Sequence, residues 1–213
     1  MNAINEKVTV IDYGAGNLGS VTNALARLGY DYLITGNPAD IENPAAVILP
    51  GVGAAGDTVK KLEETGLAAA ITARIKADRP LFAICVGLQI MLGNTEENGI
   101  HRCLGIVPGN VKKLPAGLKV PHMGWNQVNR KMEHAIFAGI PDGTNFYFVH
   151  SYYADPEDKS VIAATTDYGV TFCSMIIKSN LIATQFHPEK SGETGLRMYT
   201  NFLNMAFNQE KKS

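Results

Sequence analysis

The sequence lacks any apolar stretch long enough to cross a bilayer. A membrane-spanning helix needs about 20 predominantly apolar residues, whereas the longest uninterrupted apolar run, 81–86, has six and includes a cysteine. An excess of one charge is missing as well: 19 Lys+Arg stand against 20 Asp+Glu, a net charge of -1. That balance speaks against a nucleic-acid partner, because binding a phosphate backbone depends on a basic surface. Cysteine is scarce. The three thiols, Cys85, Cys103 and Cys173, are odd in number and far apart, so no disulfide framework is read, and a reducing, cytoplasmic setting is expected. No basic segment followed by an apolar one opens the chain, so no export signal is read. Charged residues make up only 18%, while glycine is plentiful at 21 residues. Such a chain of 213 residues suits one domain, 1–213, with many tight turns.

The first half alternates apolar β-branched runs with helical patterns. Strands are expected at 8–13, 32–35, 46–49 and 81–84, and helices at 17–28, at 57–76 and again at 88–92. Strands apolar throughout and separated by helices indicate a mostly parallel sheet covered on both faces. The second half is punctuated by glycine and proline. Its β-rich segments at 145–149, 160–166, 172–177 and 181–185 indicate an antiparallel or mixed extension, closed by a helix at 195–207. The fold class is therefore α/β, a mostly parallel or mixed central sheet flanked by helices with a β-rich second half.

Two motifs invite readings that fail. Gly14-Ala15-Gly16-Asn17-Leu18-Gly19 follows a strand and opens a helix, as a dinucleotide fingerprint does. The second strand, however, ends Leu33-Ile34-Thr35-Gly36, without the acidic residue that would hold a ribose. A tight strand-to-helix turn is the better reading. His187-Pro188-Glu189 matches half of a zinc-deaminase signature, but no C-x-x-C follows, and the histidines at 101, 122, 134, 150 and 187 show no ligand spacing. No metal and no cofactor are expected.

A third motif survives. In Ala83-Ile84-Cys85-Val86-Gly87 a buried strand runs into a cysteine, and a helical pattern follows. This is the layout of a nucleophile elbow, in which small neighbours let the chain bend and expose the reactive side chain. A helix N-terminus there would favour thiolate and direct free N–H groups at an oxyanion. The thiol needs a base, and the base needs an orienting partner. His187 follows the strand 181–185, and Glu189 lies two residues on. In an extended segment both side chains share a face, which makes Cys85, His187 and Glu189 a triad of nucleophile, base and orienter. Pro50-Gly51-Val52-Gly53 and His150-Ser151-Tyr152 also follow strands, and ligands of open parallel sheets sit outside strand carboxyl ends.

With these residues in view the sequence resembles the class I glutamine amidotransferases, whose Cys-His-Glu triad lies on such a sheet. Asp12-Tyr13-Gly14-Ala15-Gly16-Asn17-Leu18, Leu49-Pro50-Gly51-Val52-Gly53, Pro121-His122-Met123-Gly124-Trp125-Asn126, Phe148-Val149-His150-Ser151-Tyr152 and Gln185-Phe186-His187-Pro188-Glu189-Lys190-Ser191 are similar, in order and over essentially the whole chain, to the branch that serves as glutaminase subunit of imidazole glycerol phosphate synthases. The usual pattern has glycine where Ala83 stands. The resemblance implies that Cys85 attacks the side-chain amide of L-glutamine and that His187, oriented by Glu189, passes a proton to the departing ammonia. It implies an oxyanion hole from the N–H of Val86 and, once the Gly51-Val52 peptide turns inward, that of Val52. It also implies glutamine held by Gln89 and the backbone of His150, Ser151 and Tyr152. The ammonia would pass to a (β/α)8 cyclase subunit in a heterodimer of histidine biosynthesis. Trp125, with His122, Met123 and Asn126, suits an interface loop. The alternatives are a glutaminase subunit for another acceptor, as in pyridoxal phosphate synthesis, and a dinucleotide-binding module.

Overall fold

Strands that are apolar at nearly every position have two faces to cover. In the computed structural model, which describes residues 7–14 and 17–210, these strands lie at the centre of the sheet. The strands β1 (Val8–Ile11), β3 (Ala46–Leu49), β4 (Leu81–Ile84) and β13 (Leu181–Thr184) are buried at every position. With β2 (Tyr32–Thr35) at the edge they run parallel in the order β2-β1-β3-β4-β13. Of the Gly14–Gly19 turn, Ala15 and Gly16 lie outside the described residues, as does the tail 211–213. At its near end the Asp12 carboxylate accepts the Gly14 N–H at 2.8 Å. At its far end Asn17 caps α1 (Leu18–Arg27), its side chain accepting from the Ser20 N–H.

The helical rhythm read over 57–76 belongs to two helices, α3 (Ala55–Glu64) and α4 (Leu67–Lys76), the second preceded by α2 (Ala39–Glu42) against which it packs. Gly66, at φ 76°, stops the first and starts the second, and the apolar spacing continues across the break because both helices bury their apolar faces. Buried Arg74 of α4 ties the loops together: its guanidinium donates to the carbonyls of Ile41, Pro44 and Pro80 at 2.8–2.9 Å. The helix read at 88–92 is a single short turn, α5 (Val86–Gln89). The final helix starts earlier than its apolar pattern, as α6 (Gly192–Glu210), and its Tyr199 and Phe202 pack on Phe82 of β4.

From β13 the sheet turns antiparallel into β12 (Thr171–Lys178). One path continues through β10 (Tyr152–Pro156), β7 (Gly109–Lys113), β5 (Asn94–Thr95) and β6 (His101–Arg102). A second leaves β12 through β11 (Ile162–Asp167) to β8 (His122–Arg130) and its antiparallel partner β9 (Thr144–His150). The segment 122–126, read as a loop, is thus the start of the sheet's longest strand. Its neighbours explain the difference: His122 pairs with His150 and Trp125 with Tyr147, so a glycine-containing run next to a proline is held straight by a complete ladder.

Candidate active site

Cys85 stands where β4 ends, at φ 54° and ψ -106°, a backbone conformation that non-glycine residues rarely adopt. Hydrogen bonding holds it there. Its N–H reaches the Thr184 carbonyl of β13 at 2.6 Å, and its carbonyl accepts from Leu88 and Gln89. The space around it is closed to side chains. A Cβ on Gly51 would lie 2.5 Å from the Gly87 nitrogen and 2.8 Å from the Ile84 oxygen, so the segment after β3 is pressed against the elbow. A Cβ on Gly87 would lie 3.2 Å from the Ala83 methyl, which shows how alanine is accommodated at position 83. Because α5 has only four residues, the helix-dipole argument for Cys85 does not hold. What remains are the N–H groups of its first turn, Val86 and Gly87, which have no acceptor within a helix.

His187 arrives from β13. Its N–H donates to the Tyr147 carbonyl at 2.9 Å, and its carbonyl accepts from Ser191 Oγ at 2.7 Å. His187 is extended, but Pro188–Lys190 forms a 3-10 turn, so Glu189 meets the imidazole by folding back rather than by sharing a strand face. Nδ1 of His187 lies 2.8 Å from Glu189 Oε1, and both side chains are 2% exposed. With Nδ1–H donated to the carboxylate, Nε2 is the position free for proton transfer, and it is buried without a hydrogen-bond partner. Burial disfavours the imidazolium, yet Cys85 and Glu189 together outweigh it and raise the His187 pKa. Cys85 and His187 line the same cavity, and Glu189 stands behind the ring at Nδ1.

These groups meet at one cavity of about 290 Å³, lined by Val52, Cys85, Val86, Gln89, His150, Ser151, Tyr152 and His187 among others. Gly51 and Glu189 stand behind that lining, the first under the elbow and the second behind His187. Gln89 has both amide hydrogens engaged, with the Tyr152 carbonyl at 2.8 Å and Gln185 Oε1 at 3.2 Å, so only its oxygen is free for a ligand. His122 and Asn126 point inward from β8. His122 is buried with Nδ1 3.0 Å from His150 Nε2, and Asn126 Nδ2 donates to the Asp167 carbonyl at 3.0 Å. Met123 and Trp125 face outward, 61% and 58% exposed. Residues with no sequence signal of their own also enter. Glu97 lines the cavity and accepts the Ala55 N–H at 2.9 Å, while Gln185 and Ser191, which carry no role read from sequence within the block around His187, reach Cys85 Sγ at 3.6 Å and the Tyr147 N–H at 3.0 Å.

A strand-end cysteine facing a histidine–carboxylate pair across a small cavity, on a parallel sheet, is the arrangement of a thiol-dependent amide-cleaving enzyme. The chain belongs to the class I glutamine amidotransferases, matching the family "Glutamine amidotransferase class-I" over residues 9–206. It is 57% identical to the imidazole glycerol phosphate synthase subunit HisH of Dehalococcoides mccartyi (strain CBDB1), over 96% of this chain and 100% of that one. The protein of the same name from Chloroflexus aurantiacus is 50% identical over 92% of this chain and 94% of its own. Among solved structures, a glutamine amidotransferase superposes with a TM-score of 0.73 at 19% identity, over 93% of this chain and 98% of that chain. A putative GMP synthase component from Thermoplasma acidophilum gives 0.72 at 21% identity, over 97% and 98%. At those identities the likeness is one of fold.

Proposed function

We propose that the chain is the glutaminase subunit of an imidazole glycerol phosphate synthase, acting in histidine biosynthesis. Cys85 attacks the side-chain carbonyl carbon of L-glutamine, and the tetrahedral oxyanion is held by the N–H of Val86 and, once the Gly51-Val52 peptide turns inward, by that of Val52. His187, kept in orientation by Glu189, gives the sulfur's proton to the amide nitrogen. The C–N bond breaks, ammonia leaves and a thioester remains on Cys85. Water deprotonated by His187 then cleaves the thioester to glutamate and restores the thiol. Each oxyanion donor contributes about 2.7–4 kcal/mol to the transition state. The backbone of His150, Ser151 and Tyr152 and the Gln89 oxygen grip the amino-acid end of the substrate, and the Glu97 carboxylate suits its ammonium group.

The ammonia passes to a (β/α)8 cyclase subunit in a heterodimer, seated on the face where Met123 and Trp125 protrude. No helix among the described residues is long and apolar enough to cross a membrane, and a cytoplasmic setting fits a biosynthetic enzyme with three free thiols. The observation that carries this reading is the strained Cys85 elbow set against the buried His187–Glu189 pair at one cavity. The test is glutamate release by the purified chain, with and without the cyclase partner and its nucleotide ligand. Cys85→Ala should abolish glutamine use and spare ammonia-dependent synthesis by the complex, and loss of both would overturn the assignment. His187→Ala should cost more than Glu189→Gln, which disturbs orientation and leaves the base in place.

A further inference from the structure

A backbone carbonyl can only accept hydrogen bonds, and that one-sidedness orients a whole set of buried side chains here. The Tyr152 carbonyl receives two of them, His150 through Nδ1 at 2.9 Å and Gln89 through Nε2 at 2.8 Å. His150 is buried, and desolvation lowers its pKa to about 3, so the ring is neutral; with Nδ1 protonated, its Nε2 must be bare. That bare nitrogen faces His122 Nδ1 at 3.0 Å, which therefore carries hydrogen, and His122 Nε2 in turn faces Asn126 Nδ2 at 3.3 Å. In the other direction the second hydrogen of Gln89 Nε2 points at Gln185 across 3.2 Å. The Gln185 atom there must be its oxygen. Its amide nitrogen is thereby turned to the other side, where it lies 3.6 Å from Cys85 Sγ. Gln185 is fully buried, and its own N–H is fixed by the Ser174 carbonyl at 2.9 Å, so the amide has little freedom to turn away.

We propose that Gln185 is a further catalytic residue, an N–H donor to the Cys85 sulfur, and that Gln89 is a positioning residue which fixes the direction of that donor from the Tyr152 carbonyl. The proposal rests on the reading of Cys85 as nucleophile and deepens it. The thiol's other partner, the Val149 carbonyl at 3.9 Å, accepts only from S–H and is lost on ionisation, which would leave the thiolate free to swing about its Cα–Cβ bond. A donor on a second side pins it in line with the cavity and stabilises negative charge before the attack on carbon, after which the thioester sulfur carries no charge to stabilise. Hydrogen bonds to charged groups are the strong ones, so removing this donor should be felt about tenfold in rate.

The test is alkylation by iodoacetamide at fixed neutral pH, with each cysteine's labelling rate read by peptide mass spectrometry, alongside kcat and KM for glutamine with the partner present. Gln185→Met keeps the length and removes the donor. It is expected to slow Cys85 labelling and kcat about tenfold while KM and the melting temperature change little. Gln89→Met should slow labelling about threefold, and the double variant should match Gln185→Met, because the second link acts only through the first. Wild-type labelling in Gln185→Met, or losses that multiply in the double variant, would overturn the proposal. Should Gln185→Met not fold, Gln89→Met decides with the same sign. Wild-type Cys85 labelled no faster than Cys103 and Cys173 would sink the nucleophile reading itself, which keeps the two failures distinct.

Discussion

At the carboxyl ends of β3 and β4 the cavity wall is backbone. Gly51 lies so close to the elbow that no added atom fits, Gly87 has room for one only if its neighbours give way, and the groups offered to a substrate are peptide N–H bonds and one sulfur. Along β8 and β9 the same cavity is backed by side chains: His122 stacks on Tyr168 and Phe148, and His150 bonds back to its own strand's continuation. The parallel half therefore sets geometry through steric exclusion, which leaves no room for a side chain at Gly51. The antiparallel half sets polarity through hydrogen-bond direction, which depends on protonation. Each mechanism has its own way of failing.

The largest effect is expected where exclusion is tightest. Gly51→Ala places a methyl 2.5 Å from the Gly87 nitrogen, and neither backbone segment can give way without moving the elbow or the Val52 N–H. Glutamate release should fall about 10²–10³-fold, the loss of one oxyanion donor, in a protein that still folds. Gly124→Ala in β8 is the control from the other half. Its φ is 136° but nothing lies within 4 Å, so it should cost about 1 kcal/mol of stability and leave the rate within about twofold. Equal losses of activity in the two variants would erase the contrast.

The antiparallel half should fail in acid instead. Burial lowers the pKa of His122 to about 4, and burial, with neighbouring histidines adding to it, lowers that of His150 to about 3. The unfolded chain protonates these rings near pH 6.5 and the folded one does not, so it binds more protons when unfolded throughout that window. Stability present above pH 6.5 is then lost as the pH falls toward 4. His187 has the opposite sign: its raised pKa keeps it protonated in both states below pH 6.5, so it adds no slope there. His150→Gln, which cannot charge, should lose about 2 kcal/mol less between pH 7 and pH 5 than the parent in denaturant titrations. An unchanged acid limb would mean the pair is not held neutral.

The same contrast decides what could be read from sequence. Strands β1, β3 and β4 were legible because a strand covered on both faces must be apolar throughout, and Cys85 followed from the glycine after it. In β8 the alternation is inverted. His122 and Asn126 face in while Met123 and Trp125 face out, so the pattern of a buried strand is absent although the strand is there. Glu97 comes from a loop remote in sequence, and Gln185 looks like any polar residue beyond a strand until the chain of bonds through Tyr152 is in place. The break at Gly66 was hidden because both helices share one apolar rhythm. The outward pair itself is testable. Trp125→Ala should change the isolated chain's stability by less than about 0.5 kcal/mol and weaken cyclase binding, followed by calorimetric titration, by about 2 kcal/mol.

The smallest effect concerns Ala83, the position at which the family resemblance leads one to expect glycine. Its methyl points at the one elbow residue that has no side chain, and the strand is paired on both sides, with Leu49 of β3 and Ala183 of β13. Nothing in that arrangement strains the elbow, so Ala83→Gly should leave glutamate release within about twofold. It should also lower stability by about 0.5–1 kcal/mol through greater backbone freedom, a melting shift of about 2–4 °C at most. The sharper experiment reverses the pair. Gly87→Ala would bring a methyl to 3.2 Å from the Ala83 methyl and 3.0 Å from the Leu49 oxygen, and should cost both rate and stability. Adding Ala83→Gly removes the first clash and leaves the second, so the double variant should recover in part. Full recovery would show that the contact with the Leu49 oxygen costs nothing. No recovery would show that the elbow is excluded by backbone alone, and that the methyl at position 83 has no part in shaping it.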